Sequence, residues 1–226
     1  MREAESRRIF LQRAAVAGAA ALAGCASGEK HDEKKDDDVT PAEDLMREHG
    51  ALNRILLIYD ESASRLEKRE EVPLDKLADA AGIIERFIEG YHEKLEEEHI
   101  FPRFEKAKKH EALVSVLRQQ HKAGRTCTSL IIAGCKPGAA ARETLAAQLR
   151  AFVRMYRPHE AREDTVLFPD LRGLMSAKEY DELGDAFEKR EHELLGADGF
   201  EGVVARVAEL EKAFGLDDLA KFTPPA

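Results

Sequence analysis

One motif occurs twice, and it constrains the fold more than any other feature of the chain. His92, Glu96, Phe101 and Pro102 return as His159, Glu163, Phe168 and Pro169, each 67 positions further on. A His and a Glu four residues apart stand one turn apart on the same face of an α-helix, so each copy presents an imidazole and a carboxylate together. Two helices that carry such pairs to one level of a core must run parallel. In an up-down-up-down four-helix bundle the second and fourth helices do so, at diagonal corners.

The rest of the sequence agrees with helices throughout. Ala, Leu, Glu, Lys and Arg dominate, aromatic residues make up only 6% and Trp is absent, a helix-forming composition. No β-rich alternating run interrupts it. Thr40-Pro41-Ala42-Glu43 is a capping box with proline at the first helical position. It predicts a helix to about Arg69, with Leu45, Leu52, Ile55, Leu56 and Tyr59 on one stripe. Val72-Pro73 breaks the chain before a second helix over about 74–108. A third covers about 111–133, ended by Gly134 and Pro137-Gly138, and a fourth about 139–171. Ser176-Ala177-Lys178-Glu179 is a second capping box and opens a fifth helix to Leu195; a sixth spans about 200–214. The expected fold class is therefore all-α: an up-down-up-down four-helix bundle over residues 40–172, with a C-terminal helical extension over 173–226 packed on it. A helical repeat array fits less well, because two units are too few and the spacing is longer than the usual periods.

Residues 1–24 read differently. Arg7-Arg8 followed by Ile9-Phe10-Leu11 resembles a twin-arginine export signal, and Leu22-Ala23-Gly24-Cys25 resembles a lipobox, in which the Cys is lipidated and becomes the first mature residue. The apolar stretch between them, Ala14 to Gly24, is too short for a bilayer, which takes about 20 residues. Residues 25–39 are then a lipidated Cys and a charged tether. The run Asp36-Asp37-Asp38 and the near absence of apolar side chains leave nothing to offset the cost of ordering it, and His31 belongs to that solvated run. The expected location is outside the inner membrane, periplasmic or cell-surface, with the membrane reached through the lipid on Cys25. A formal net charge of −9 with no basic patch argues against nucleic acid as a partner.

The first and third helices each add one imidazole. His49 lies four residues after Leu45 and three before Leu52, and His121 lies four after Leu117 and nine before Leu130, so both face the apolar side. One level of the bundle thus gathers His49, His92, Glu96, His121, His159 and Glu163. Imidazole suits iron, copper, zinc and nickel, and bridging carboxylates suit paired iron or manganese. Six ligands exceed what one tetrahedral zinc needs, and a buried carboxylate with no cation is costly.

These residues resemble the hemerythrin-like proteins, the HHE cation-binding domain, over roughly Ala42 to Leu171. The resemblance implies a non-haem di-iron centre inside the bundle, bridged by carboxylates, with the six residues above as its ligands and dioxygen, peroxide or nitric oxide as the small ligand. Two departures qualify it. The invertebrate oxygen carriers of the family have a second His one turn along the third helix, where this sequence has Arg125, and their fourth-helix acid is an Asp five residues after the His, whereas Glu163 is four after. The pattern looks more like the bacterial branch associated with nitric-oxide stress and iron–sulfur repair. The cysteine-bearing module of that branch is not found here, and the repair role is not transferred.

The expected function is a di-iron protein that binds dioxygen or a related small molecule for storage, delivery or sensing. The alternatives are a di-iron peroxidase, oxidase or nitric-oxide-consuming enzyme, and a zinc or metal-buffer protein. No catalytic residue is assigned. Glu93, Glu97, Glu98 and Glu160 are read as solvated or as partners that orient the imidazoles. Tyr91 and Tyr156 are read as core, Pro102 and Pro169 as helix-end or kink markers, and His99, His110 and His192 as surface. Cys127 and Cys135, eight apart on one helix, stand about 12 Å from each other, too far to pair unless the chain unwinds after Ala133.

Overall fold

The computed structural model describes residues 39–139 and 141–224, all helix and connection, with no strand among them. The export signal, the lipobox with Cys25 and the tether as far as residue 38 lie outside the described residues. No described helix is long and apolar enough to cross a membrane.

Helix α1, Pro41–Glu67, starts where the capping box places it: the Thr40 hydroxyl accepts from Glu43 N at 3.2 Å, and Glu43 and Asp44 lie in the first turn, where the helix dipole favours acids. It stops as Arg69 turns left-handed at φ 61°. Helix α2 is one continuous rod built of five pieces. α-Helical Leu74–Ile83, Glu93–Leu95 and Phe101–Ala107 are separated by π-helical Ile84–His92 and Glu96–Ile100. Lys108 and His110, both left-handed, reverse the chain into α3, Glu111–Gly134. Helix α4 comprises Arg142–Arg162, the π turn Glu163–Leu167 and Phe168–Leu171, with Pro158 inside it.

These four pack in the expected cycle, α1 on α2 and α4, α3 on α2 and α4. Their shared interior holds Tyr59, Phe87, Phe101, Phe104, Phe152 and Phe168 at 1% exposure or less. Burying each such ring contributes about 1.5–3 kcal/mol. Helix α5, Ala177–Leu195, opens with the complete Ser176–Glu179 capping box, and α6, Gly199–Phe214, ends in the left-handed Gly215.

The last two helices lie across α1 and α2. Phe187 and Phe214 are buried at 1% exposure. Arg54 of α1 holds the Glu211 carboxylate with two N–H bonds, at 2.9 and 2.5 Å, and Arg65 donates to the Phe214 carbonyl at 2.7 Å. Arg47 and Arg65 stack over the rings of Phe200 and Phe214.

Candidate metal centre

All six residues singled out from the sequence meet at one level of the four-helix core, none more than 4% exposed. The imidazoles fall into two pairs. His49 of α1 and His92 of α2 have ring centroids 4.7 Å apart, and His121 of α3 and His159 of α4 have theirs 5.0 Å apart. Each carboxylate reaches one imidazole of each pair. Glu96 Oε2 lies 3.6 Å from His92 Nε2 and 3.4 Å from His121 Nε2. Glu163 Oε2 lies 3.2 Å from His159 Nε2 and 3.4 Å from His49 Nε2.

Every imidazole turns its Nε2 inward and has its Nδ1 held from outside. His92 Nδ1 is 2.7 Å from Glu48 Oε2, His49 Nδ1 2.8 Å from Asp164 Oδ1, His159 Nδ1 2.9 Å from Gln120 Oε1, and His121 Nδ1 3.2 Å from Glu97 Oε1. All four acceptors are oxygens, so each Nδ1 donates outward and Nε2 is the ring atom left to face the centre, where those of His121 and His159 lie 3.2 Å apart. This is the arrangement that fixes tautomer and ring angle in metal-binding histidines.

The backbone explains how Glu96 and Glu163 come to point inward. Each is the first residue of a π turn, Glu96–Ile100 and Glu163–Leu167, and in each the proline follows within the first turn of the α-helix beyond. Pro102 and Pro169 have no N–H to return to the preceding turn, and the wider turn takes up that loss while the helix continues. The two prolines therefore mark a widening, not an end.

Both oxygens of Glu96 and both of Glu163 are buried without a hydrogen bond. Four such carboxylate oxygens in a dry core are a costly arrangement that a cation removes. Burial raises the Glu96 carboxyl and the neighbouring Glu163 raises it further. Burial would raise Glu163 too, but His159 and His49 outweigh it and hold that group below the usual range. Burial lowers His92 to about 4, so its ring is neutral at physiological pH. Burial also opposes a charge on His121, yet Glu96 and Glu97 overcome it and raise that ring to about 10; His49 is raised against burial by Asp164 and Glu163. The protons that these carboxylates draw onto the rings occupy the places a cation would take. Atoms of Glu96, His121, His159 and Glu163, and separately of His49, His92 and Glu96, lie within 4.8 Å of one another, close enough to hold a metal ion.

Several outer residues behave differently from the sequence reading. Leu130, used to place His121 on the apolar side, is 49% exposed, and Leu117 alone supports that placement. Glu98 is exposed, but Glu93 and Glu160 are buried, at 1% and 3%. Glu93 accepts from Tyr156 Oη at 2.6 Å and from Arg125 Nη2 at 2.7 Å, and Glu160 accepts from Asn53 at 2.7 Å. Arg125 also donates to Glu97 at 2.6 Å, so its guanidinium is turned toward α2.

Tyr156 is core, as expected, but with its hydroxyl committed to Glu93. It lies so close over α3 that a Cβ on residue 124 would come within 2.0 Å of its oxygen, which only Gly124 permits. Tyr91 Oη faces the Phe187 carbonyl at 3.5 Å. His192 is exposed, whereas His99 and His110 are half-buried and His110 Nε2 pairs with Asp170 at 2.6 Å. Cys127 and Cys135 are both free thiols.

Glu48, Gln120 and Asp164 were not found from the sequence, since each lies on a different helix from the imidazole it holds. For Asp164 a signal existed: it stands five residues after His159, where the resemblance places the acid of the oxygen carriers. Here that position serves His49 from outside, and Glu163 takes the interior.

An all-α bundle that buries two imidazole pairs around two unsatisfied carboxylates defines a metal-cation-binding protein. The comparisons give it a family. The profile of the hemerythrin HHE cation-binding domain matches residues 40–143, a span that includes His49, His92, Glu96 and His121 and stops short of His159 and Glu163. Three mycobacterial relatives, the uncharacterized proteins Mb2018 of Mycobacterium bovis and MT2051 and Rv1995 of Mycobacterium tuberculosis, are 46% identical over 98% of this chain and 92% of their own length. The chain belongs to the hemerythrin HHE cation-binding family. No solved structure matches it.

Proposed function

We propose that the bundle is a non-haem di-iron protein that binds dioxygen or a related small molecule such as peroxide or nitric oxide, with His49, His92, Glu96, His121, His159 and Glu163 as ligands. The observation that carries this reading is the position of Glu96 and Glu163, each between one imidazole of one pair and one of the other, with no hydrogen bond to either carboxylate. Two cations held by four imidazoles and two carboxylates would use all six groups. Iron in that setting supplies redox chemistry and a Lewis-acidic position for a small ligand. The chain's own part is to hold four Nε2 atoms inward, through Glu48, Asp164, Gln120 and Glu97, and to exclude water by burial. With every ligand side chain nearly inaccessible, only a small molecule reaches the centre.

The enzyme reading is favoured by one feature. Arg125 stands where the oxygen carriers have a further His and is bound to Glu93 and Glu97, so it adds no ligand and would leave a bound metal room for a reactant. We further propose that the protein is exported and held to a membrane by a lipid on Cys25, a reading that rests on the sequence signals alone.

The test is metal analysis of protein purified without oxygen, with optical spectra before and after air is admitted. Two irons per chain and new charge-transfer bands are expected, with Glu96→Ala and Glu163→Ala each sharply reducing metal content. Bands that reverse under vacuum select binding, and steady consumption of peroxide or nitric oxide selects the enzyme. Zinc, or both variants retaining two metals, overturns the assignment. In the same preparations Cys25→Ser should move the protein from the membrane fraction to the soluble one; if it does not, the anchor is refuted.

A further inference from the structure

The outer face of α3 carries little charge. Ten positions between Ala112 and Ala133 are exposed, and Lys122 is the one charged residue among them, in a chain that is 35% charged. The two arginines of the same helix do not contribute, because Arg118 is turned to Glu105 and Arg125 to Glu93 and Glu97. The exposed side of α5, by contrast, carries charge along its whole length. On α3 the face is made of Lys122, Gln119, small side chains and two large apolar ones, Val116 and Leu130, exposed at 47% and 49%.

We infer that this face is where two copies of the chain pair, about a two-fold axis at Ala123. Two observations select a second copy as the occupant. The first is charge. Two chains of net charge −9 repel wherever acidic surface meets acidic surface, and least where neither presents an acid. A strongly basic or acidic partner would find almost nothing on this face to pair with.

The second is symmetry. A two-fold contact needs a surface complementary to itself under reversal. Val116 and Leu130 lie seven residues to either side of Ala123, nearly two whole turns each, so the three share one stripe along the helix. An antiparallel copy of α3 sets Val116 against Leu130 of its partner, and Leu130 against Val116, with the small Ala123 at the crossing where the backbones come closest. Lys122 lies about 100° round the helix from Ala123, so its stem can run along the contact while its ammonium stays in water.

One helix face buries less than the roughly 800 Å² per partner of a standard interface. The neighbouring strip of α4 supplies more of the same character. Ala147, Ala151, Met155 and Pro158 follow each other at helical spacing, the first two and the last exposed, and the exposed Arg154 lies at their edge as the one charge there. The side of α4 that meets α3 is marked by Gln148, whose amide lies beside Gly134.

The test is sedimentation of the full chain over a wide concentration range, with Ala123→Glu beside it. The wild type is expected to dimerise with rising concentration. The substitution sets two carboxylates on the axis and should weaken association at least tenfold, with helical content and metal content unchanged. Independently, Ala123→Cys should form a covalent dimer under mild oxidation that the wild type and an α5 control, Glu182→Cys, do not form, since the axis brings the two Cα atoms within disulfide reach of about 7 Å. A chain that stays monomeric at every concentration, a dimer that survives Ala123→Glu, or an Ala123→Cys chain that does not cross-link more than the control overturns the inference. Binding of the monomer to a lipid vesicle through the same face would overturn it too.

Discussion

Asp164 and Glu163 are neighbours in sequence with opposite roles: one carboxylate is fully buried between imidazoles, the other is 34% exposed and holds His49 Nδ1 from the rim. Because Asp164 is partly solvated, removing it costs little packing, and Asp164→Ala separates orientation from folding. The variant should keep its helical content and bind metal about 10–100-fold more weakly, as read by competition with a chelator of known affinity. Equal affinity in the variant would mean that His49 needs no outside partner. The six candidate ligands were legible in the sequence because each shares its own helix with the apolar residues or the carboxylate that reveals it. Of their outer partners only Glu97 was among the residues read as able to orient an imidazole, and it holds His121. Glu48 reaches His92, Gln120 reaches His159 and Asp164 reaches His49 across helix pairs, and no periodicity within one helix encodes such a contact.

At the scale of elements, the caps were legible and the wide turns were not. Ser176 makes both bonds of its capping box and Thr40 the hydroxyl half of its own, since capping is settled within four residues. A π turn is invisible to a 3.6-residue pattern, which treats its additional residue as noise; only Pro102 and Pro169, in otherwise helical text, hinted at it. The turn Glu96–Ile100 sets the phase between the candidate ligands below it and the buried Phe101 and Phe104 above. Deleting the exposed Glu98 should close that turn to α-helical width, and because four α-helical residues sweep nearly the angle of five π-helical ones, Phe101 and Phe104 should keep their place in the core. Cooperative thermal unfolding should survive while metal content falls, since Glu96 opens the turn that is lost. A deletion variant that keeps its metal would show that the turn is incidental.

For the whole molecule, the pH dependence of stability carries the mark of Glu89, buried at 6% exposure between α2 and α3 with the Thr128 hydroxyl bonded to it. Burial raises its carboxyl from 4.5 to about 7, with Thr128 opposing. Between those two values the folded chain holds a proton that the unfolded chain has released, so stability falls as pH rises through that window. The penalty is complete above about 7 and absent below 4.5. Glu89→Gln removes it. Urea unfolding should find the wild type losing about 3 kcal/mol relative to the variant between pH 4.5 and 8; parallel curves would contradict this.

The pairing of the imidazoles divides the bundle into two hairpins. The α1–α2 hairpin contributes His49 and His92, and the α3–α4 hairpin His121 and His159. Each hairpin also lends the other a carboxylate, Glu96 reaching across to His121 and Glu163 to His49. Neither hairpin holds all four imidazoles and both carboxylates, so a cation held there would tie the two halves of the bundle together.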